Sequence, residues 1–328
     1  MPVPIKTGTV LRNRYQVQNI IGQGGMGSIY LAEDLRLEGR LCAVKEVEYD
    51  RALPEEILKE ARDQFQREAT ILARLDHPNL PKVSDFFSIK ERDYLVMDYV
   101  PGKDLRQLMM EARQQATFIP EEKVLDWANQ LASALEYLHN QEHPILHRDI
   151  KPSNLKLTPN GLVKLVDFGL VKLLAPGEIT ITVLQGQGTA LYTPLEQYGG
   201  DSGHTDARSD IYAFGGTLYH LLTNEPPLNV RDRFLNPGSL TPIREINPAV
   251  SVRTERAVHW ALQLHPEDRP KDIHAFVNAL FVEDAPITKP YRNSRVTPQT
   301  VGSPERVLIF LAGGLMVVSL LLTLLRNF

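Results

Sequence analysis

The hydrophobic pattern divides the chain into a strand-rich first part and a mainly helical second part. Short apolar runs at residues 15–21, 28–32 and 41–44 predict β-strands. One strong helix is expected after them at residues 65–75, and the charged residues at 55–67 predict a solvated helix face. From residue 104 to residue 282 the sequence is mainly of helical type. We therefore predict a two-lobed α+β fold, with a β-rich N-lobe over about 15–98 and a mainly helical C-lobe over about 99–282.

One helix of the second part is defined by its apolar positions alone. They follow helical spacing and predict a buried stripe: Val124, Trp127, Ala128, Leu131, Leu135 and Leu138. We interpret this stripe as core and not as a cofactor site.

The pattern changes after residue 281. Residues 283–305 are rich in Pro, Thr, Ser and Arg without an apolar period, which predicts a disordered juxtamembrane linker. Residues 307–325 carry no charge and would span about 28 Å as a helix, close to the thickness of a bilayer core. A buried helix is the alternative, but the run has no polar face. We predict a single transmembrane helix at residues 306–326.

Basic residues lie mainly before the uncharged run 307–325, at Lys289, Arg292, Arg295 and Arg306, and only Arg326 follows this run. The positive-inside rule then predicts a tail-anchored protein whose folded domain is cytoplasmic. The expected role of the anchor is to localise and concentrate that domain.

Composition narrows the remaining possibilities. The chain is 43% hydrophobic and 23% charged, as in ordinary globular proteins, and its net charge of −4 predicts no nucleic-acid partner. Cys42 is the only cysteine, so an intrachain disulfide is excluded and a buried thiol is expected. The nine histidines show no metal-ligand spacing.

The chemistry is concentrated in residues 147–154, HRDIKPSN, and residues 167–169, DFG. These motifs place a candidate base, Asp149, beside a phosphate-neutralising lysine, Lys151. They also supply two oxygen-type metal ligands, Asn154 and Asp167. This combination is what in-line phosphoryl transfer from a magnesium nucleotide requires.

Two upstream features support this interpretation. Residues 22–27, GQGGMG, lie between apolar runs and predict a hairpin turn whose backbone N–H groups can approach phosphates, although glycines serve ordinary turns equally well. A short strand ends at Lys45, and Glu68 in the predicted helix is a suitable partner for its ammonium group.

From about residue 15 to residue 280 the chain resembles a eukaryotic-like Ser/Thr protein kinase of the bacterial type. The resemblance implies that Asp149 accepts the proton of the substrate hydroxyl and that Lys151 neutralises the γ-phosphoryl group. It implies that Lys45, held by Glu68, binds the α- and β-phosphates. Asn154 and Asp167 would hold Mg²⁺, or Mn²⁺ in its place. Lysine at position 151 is typical of the Ser/Thr subgroup.

The resemblance also implies an ATP site between the lobes. Backbone groups of Asp98 and Val100 would bond the adenine edge, and Asp104 would accept from the ribose hydroxyls. The full set of implied contacts is Gly22, Gln23, Gly24, Gly25, Met26, Gly27, Ile29, Ala43, Lys45, Met97, Asp98, Val100, Asp104 and Lys156.

Regulation and support are implied in the same way. Arg148 beside the base is typical of kinases controlled by phosphorylation of the activation segment, for which Thr180 and Thr182 are the candidates. The alternative is that both are polar residues of a mobile loop. Thr189 is expected to line the substrate groove, and Asp210 to anchor the catalytic-loop backbone.

Two positions depart from the family pattern. Lys156 replaces an aliphatic residue under adenine, and we expect its methylenes to lie against the ring while the ammonium reaches solvent. Residues 194–196 read Pro-Leu-Glu where Ala-Pro-Glu is usual, which could alter the substrate groove, but Glu196 is still expected to pair with Arg269.

Three functions follow from this sequence. The first is an active, membrane-tethered Ser/Thr protein kinase that uses ATP, phosphorylates proteins and associates with itself for autophosphorylation in trans. The second is a nucleotide-binding, pseudokinase-like scaffold, which the intact catalytic residues disfavour. The third is a small-molecule phosphotransferase, which the full activation segment disfavours.

Overall fold

The computed structural model describes residues 4–24, 27–47, 49, 54–167, 190–198 and 205–282. Gly25, Met26, Thr180, Thr182 and Thr189 lie outside these residues, as do the linker and transmembrane helix predicted at 283–326. Among the helices in the described ranges, none combines the length and the apolar run needed to cross a bilayer.

A six-stranded antiparallel sheet and one helix, α1, form the N-lobe. The strands follow one another in the order β1-β2-β3-β4-β6-β5. The elements are β1 (Val10–Leu11), β2 (Tyr15–Gly24), β3 (Gly27–Asp34), β4 (Leu41–Val47), α1 (Glu55–Leu72), β5 (Val83–Ile89) and β6 (Arg92–Asp98).

The predicted helix is longer in the structure than the apolar pattern indicated. Helix α1 begins at Glu55, where the charged residues predicted a solvated helix face, and ends at Leu72, three residues before the predicted end. Its first turn carries Glu55 and Glu56, which interact favourably with the helix dipole. Leu58, Phe65 and Leu72 are buried on its inner face. The apolar pattern therefore located the buried end of the helix but not its charged beginning.

The C-lobe is mainly helical, as predicted. Its elements are β7 (Lys103–Asp104), α2 (Leu105–Gln114), α3 (Glu121–His139), β8 (Leu155–Leu157), β9 (Val163–Leu165), α4 (Ala207–Thr223), α5 (Val230–Leu235), α6 (Ile243–Ile246), α7 (Val252–Ala261) and α8 (Ile273–Phe281). Strands β7, β8 and β9 form a small antiparallel sheet. The predicted apolar stripe of α3 is buried at every position, which confirms it as core.

Helix α4 lies at the centre of the C-lobe, and its residues from Ser209 to Thr223 are buried except His220. A Cβ atom on Gly215 would lie 2.7 Å from the Cβ of Ala261, so glycine permits the close approach of α4 and α7. Phe214 and Phe276 meet edge to face with ring centroids 5.2 Å apart, and join α4 to α8.

The N-lobe sheet separates two apolar clusters. One lies on the outer face and contains Tyr15, Tyr30, Val44 and Val96, whereas the other runs from Ala43 and Met97 on the inner face into the C-lobe. Cys42 belongs to the outer cluster and is buried as predicted, and burial raises the pKa of its thiol to about 11.

The connection between the lobes is short and closely packed. Strand β6 ends at Asp98, and β7 begins at Lys103 with its partner Leu157 on β8. Gly102 between them has φ +108°, and a Cβ atom there would lie 2.1 Å from the carbonyl oxygen of Leu157. Only glycine fits this backbone conformation and this contact.

Candidate active site

Asp210 on α4 positions the loop between α3 and β8. Its fully buried carboxylate accepts the backbone N–H groups of His147 (2.9 Å) and Arg148 (2.8 Å), which confirms the predicted anchor. His139, in the last turn of α3, donates Nε2–H to the same carboxylate at 2.9 Å. Burial raises the pKa of Asp210, but the His139 hydrogen bond and nearby positive charge outweigh it, so the pKa falls below its usual value.

The loop holds Asp149 through two neighbouring side chains. The Lys151 ammonium lies 2.9 Å from both carboxylate oxygens of Asp149. Asn154 Nδ2 donates to the Asp149 backbone carbonyl (2.8 Å) and to its Oδ2 (2.9 Å). A 3₁₀ turn, Pro152–Asn154, places Asn154 within reach of Asp149. Because the Asn154 amide nitrogen makes both contacts, its side-chain oxygen remains the group suited to a metal ion.

Asp167 follows β9 and lies beside this cluster. The Val166 N–H donates to the Asn154 carbonyl at 2.8 Å, and Asp167 adopts φ +58°, a left-handed conformation unusual for a residue other than glycine. The Asp167 carboxylate forms an ion pair with Lys45. Burial raises the pKa of Asp167, but the charges of Lys45 and Lys151 outweigh burial and the pKa is lowered. Asp167 is therefore ionised at neutral pH.

Glu68 is buried on α1 and accepts a hydrogen bond from Gln64 Nε2 at 3.0 Å. Burial lowers the pKa of the Arg148 guanidinium, and the charges of Asp210 and Glu68 partly offset this effect. The Lys45 ammonium forms an ion pair with Asp167, and the predicted pairing of Lys45 with Glu68 stays a prediction.

The glycine-rich segment is the predicted hairpin. Gly24 pairs with Gly27 across β2 and β3, Gly22 pairs with Ile29, and Ile29 in turn pairs with Lys45 on β4. This register places Gly22, Ile29 and Lys45 side by side on three adjacent strands. Gly27 has φ +130°, and a Cβ atom there would lie 2.1 Å from a backbone carbonyl oxygen of β4. A side chain at this position is therefore excluded.

The residues assigned to adenine lie where β4 and β6 meet the lobe connection. Ala43 pairs with Met97, and both are buried, as is Val100. The Asp98 N–H donates to the Lys82 carbonyl at 2.9 Å, so an adenine bond at Asp98 would have to use its carbonyl.

Asp104 has a structural role that the sequence analysis did not predict. Its side chain caps α2 by accepting the Gln107 N–H (2.8 Å), and the Gln107 side chain accepts the Asp104 N–H (3.0 Å). This capping box fixes the start of α2. A carboxylate holds several hydrogen bonds, so the cap and the predicted ribose contact are compatible.

Lys156 pairs with Asp104 across β7 and β8 and is half-buried. Its ammonium lies 5.8 Å from the ring centroid of Tyr99, a cation–π contact, whereas we expected it to reach solvent. Burial lowers the pKa of Lys156 despite the nearby Asp104 carboxylate. Tyr99 was not singled out from the sequence, because nothing in the linear pattern pairs it with Lys156.

The predicted pair of Glu196 and Arg269 is confirmed. Arg269 donates to the two carboxylate oxygens at 2.6 and 3.1 Å, and the Ser209 hydroxyl adds a bond of 2.8 Å. The Arg269 side chain is fully buried. Pro194 precedes a short 3₁₀ turn, Leu195–Gln197, so the unusual Pro-Leu-Glu order leaves this ion pair in place.

The oxygen donors at Asn154 and Asp167 suit Mg²⁺, which prefers one or two carboxylates and completes its shell with water and phosphate. Within the described part of the chain, no three His, Cys, Asp or Glu side chains form a metal-binding cluster. The arrangement therefore fits a metal ion that binds together with a nucleotide. The metal, nucleotide and catalytic roles assigned above stay predictions.

Comparison with known proteins gives a consistent result. A family model, "Protein kinase domain", matches residues 15–284. A probable serine/threonine-protein kinase of Clostridium acetobutylicum is 32% identical over 280 residues, which cover 83% of this chain and 40% of the relative. The serine/threonine-protein kinase PknB of Mycobacterium leprae is 33% identical over 270 residues, covering 79% of this chain and 41% of that protein.

The fold comparison agrees. The crystal structure of the Mycobacterium tuberculosis PknI kinase domain superposes with a TM-score of 0.65 at 28% identity, covering 84% of this chain and 98% of that domain. The chain spans less than half the length of the two curated relatives.

Proposed function

Because this chain belongs to the protein kinase family, we propose that it is a Ser/Thr protein kinase that transfers the γ-phosphoryl group of ATP to Ser and Thr hydroxyls of proteins. The observation that carries the proposal is the convergence of two side chains on one carboxylate: Lys151 and Asn154 both bond to Asp149, and the Asn154 carbonyl accepts the N–H of the residue before Asp167. The Ser/Thr assignment rests on Lys151 and on the names of the relatives.

Each side chain then has a defined task. Asp149 orients the acceptor hydroxyl and accepts its proton, and its two bonds from Lys151 and Asn154 hold it in place. Lys151 neutralises charge on the transferred group, and Lys45 binds the phosphates behind it. Kinases of this family use ATP and Mg²⁺, and a bound Mg²⁺ neutralises phosphate charge. Asn154 and Asp167 would hold it.

Most of the rate acceleration in such a site comes from positioning and from preorganised charge. The structure supports both. Asp210 fixes the backbone at residues 147 and 148, directly before the base. The left-handed conformations of Arg148 and Asp167 cost on the order of 1 kcal/mol each and persist because the surrounding bonds enforce them.

The scaffold alternative rests on Lys156 and on the Pro-Leu-Glu segment. Neither removes a catalytic group: Lys156 is accommodated against Tyr99, and Glu196 keeps its pair with Arg269. A small-molecule phosphotransferase is disfavoured by the activation segment, which includes Thr189 and ends at Glu196.

We propose two further properties on the basis of the sequence. The kinase phosphorylates its own activation segment at Thr180 or Thr182, in a second copy of the chain. A transmembrane helix at residues 306–326 tethers it to the cytoplasmic face of a membrane, which raises its local concentration. Equal autophosphorylation rates for vesicle-tethered and detergent-dispersed protein, at the same low concentration, would count against the concentrating role.

The decisive experiment measures phosphate incorporation by the full chain in detergent micelles with Mg²⁺ and ATP, by intact mass and site mapping. Lys45→Met and Asp149→Asn serve as inactive controls, and ATP binding is measured separately by calorimetry. Phosphate on the wild type that is absent from both variants supports the kinase, and mapping to Thr180 or Thr182 supports self-activation. ATP binding without transfer to the chain or to a protein substrate favours the scaffold.

A further inference from the structure

Helix α2 carries two exposed arginines, Arg106 and Arg113, seven residues apart. Seven residues make about two turns, so both lie on one face of the helix, about 10 Å apart along its axis. Among the described residues neither has a carboxylate within ion-pair distance, whereas Lys103 nearby is neutralised by Glu111 at 2.7 Å. This face of α2 therefore presents uncompensated positive charge.

Helix α2 packs against α4, and the segment after α2 meets the end of α4, where Asn224 Nδ2 donates to the Thr117 carbonyl at 2.9 Å. His220 lies there, and its pKa is lowered to about 4, first by burial and then by the charges of Arg106 and Arg113. A hydrogen bond of 2.5 Å joins the Tyr192 hydroxyl oxygen and His220 Nδ1, and their rings stack with centroids 6.1 Å apart. Burial raises the pKa of Tyr192, and Arg106 partly offsets the rise. Both arginines thus lie near the Tyr192–His220 pair.

Tyr192 of this pair belongs to the chain segment that the family resemblance assigns to the substrate groove. Tyr192 stands three residues after Thr189, the threonine assigned to the substrate groove, and four before Glu196. At its other end, α2 begins directly after Asp104 at the edge of the nucleotide cleft and packs against the 3₁₀ turn that carries Asn154. The arginine face consequently lies between the catalytic loop and the substrate-groove segment.

The charges around Arg106 and Arg113 determine which kind of peptide can bind beside them. His220 is neutral at pH 7, and the nearest carboxylates of α2, Asp104 and Glu111, are engaged by the helix cap and by Lys103. A basic peptide would meet two arginines there. An anionic side chain would gain two charge-assisted partners whose fork geometry matches both carboxylate and phosphate.

From this juxtaposition we infer that Arg106 and Arg113 make the enzyme select Ser/Thr acceptors flanked, within about four residues, by anionic side chains. The inference rests on the proposed protein kinase function and deepens it. Carboxylate and phosphate groups share the required chemistry, so the test includes both.

The experiment uses the full chain in detergent micelles with Mg²⁺ and ATP. The substrates are threonine peptides with alanine flanks in which each position from four before to four after the acceptor is replaced in turn by Glu, phosphoserine or Lys. We expect kcat/KM to rise for Glu or phosphoserine, and to fall for Lys, at one or more of these positions. We expect the preference to shrink about 5-fold in Arg106→Gln and about 20-fold in Arg106→Gln/Arg113→Gln.

The controls separate specificity from folding. Arg256→Gln removes an exposed arginine from α7, and should leave the preference unchanged. Arg106→Glu should shift the preference toward Lys peptides, a change that mere damage to the fold does not produce. Raising the salt concentration should weaken the wild-type preference through screening.

Three outcomes overturn the inference, and they can be told apart. Equal kcat/KM for neutral, acidic and basic peptides refutes it while the kinase function stands, and so does an unchanged preference in the double variant. No phosphate transfer to any peptide, with none to the chain itself, refutes the proposed function and the inference together. A gain with phosphoserine alone identifies phosphate as the recognised anion.

Discussion

Replacing Asp210 by asparagine tests whether this carboxylate organises the catalytic loop. Asparagine has nearly the same shape but keeps only one acceptor oxygen and replaces the other with an amide N–H₂ group. At least one of the three donors now satisfied by Asp210, the N–H groups of His147 and Arg148 and Nε2–H of His139, would then face another donor.

The size of the effect follows from this count. A buried hydrogen bond to a charged group contributes about 1.5–3 kcal/mol, and a buried donor left unsatisfied costs about 1–3 kcal/mol. These contributions overlap, so we expect Asp210→Asn to lower the free energy of unfolding by about 2–4 kcal/mol. A displacement of the loop by about 1 Å would lower kcat about 100-fold in addition.

The assay is urea unfolding monitored by circular dichroism, together with kcat at a temperature where the variant remains folded. Asp206→Asn is the matched control on the same helix. Asp206 caps α4 by accepting the Arg208 N–H at 2.8 Å, and asparagine caps equally well, so we expect a loss below about 1 kcal/mol. A destabilisation of Asp210→Asn no larger than that of the control, with normal kcat, would refute the anchoring argument.

The dependence on pH gives a second check on Asp210. Because its pKa in the folded state lies below the ordinary value, the carboxylate stabilises the fold at pH values above about 4 and loses this contribution as the pH falls through the folded-state pKa. The difference in stability between wild type and Asp210→Asn should therefore shrink as the pH is lowered from 6 to 3. A difference that stays constant over this range would contradict an ionised Asp210.

Three further predictions concern other parts of the site and core. Glu196→Gln leaves the fully buried Arg269 without its charge partner and should destabilise the protein by about 3–5 kcal/mol in urea unfolding; a loss under 1 kcal/mol would contradict the buried pair. Lys156→Leu restores an apolar surface under adenine, and calorimetry should find ATP binding a few-fold tighter, whereas weaker binding would show that the ammonium contributes. The pKa of His259 is lowered to about 4, chiefly by burial, so the free energy of unfolding should decrease as the pH is lowered from 6.5 to 4. His259→Gln should reduce this decrease by up to about 3 kcal/mol. An unchanged decrease would show that other groups cause it.

The amino-acid sequence predicts best those contacts of the site that join residues close together in the chain. Asp149, Lys151 and Asn154 lie within a stretch of six residues, and a single 3₁₀ turn brings them together. The hairpin at residues 22–27 was predicted for the same reason, since it needs only two neighbouring strands. Pairing of Glu196 with Arg269 was predicted across 73 residues, but only because the family resemblance supplied it.

Most contacts that the sequence did not predict join elements that only the tertiary fold brings together. His139 reaches Asp210 across 71 residues, and a histidine at a helix end gives no indication of its partner. Tyr99 meets Lys156 only because the lobe connection passes over β8. The cap formed by Asp104 is the exception. Its local pattern, Asp followed three residues later by Gln, is a recognisable capping box that the ribose assignment had hidden.

The contact of Gly102 with the Leu157 carbonyl also determines where the cleft can open. Because residue 102 is held against β8, and pairing of β7 with β8 begins at the next residue, the chain from Gly102 onward moves with the C-lobe. Asp98 moves with the N-lobe sheet, which leaves Tyr99, Val100 and Pro101 to absorb any rotation between the lobes. Proline fixes its own φ angle, so Tyr99 and Val100 have the most torsional freedom in this connection. Entry and departure of a nucleotide would then depend on the torsion angles of these two residues. One of them, Tyr99, makes a cation–π contact with the Lys156 ammonium.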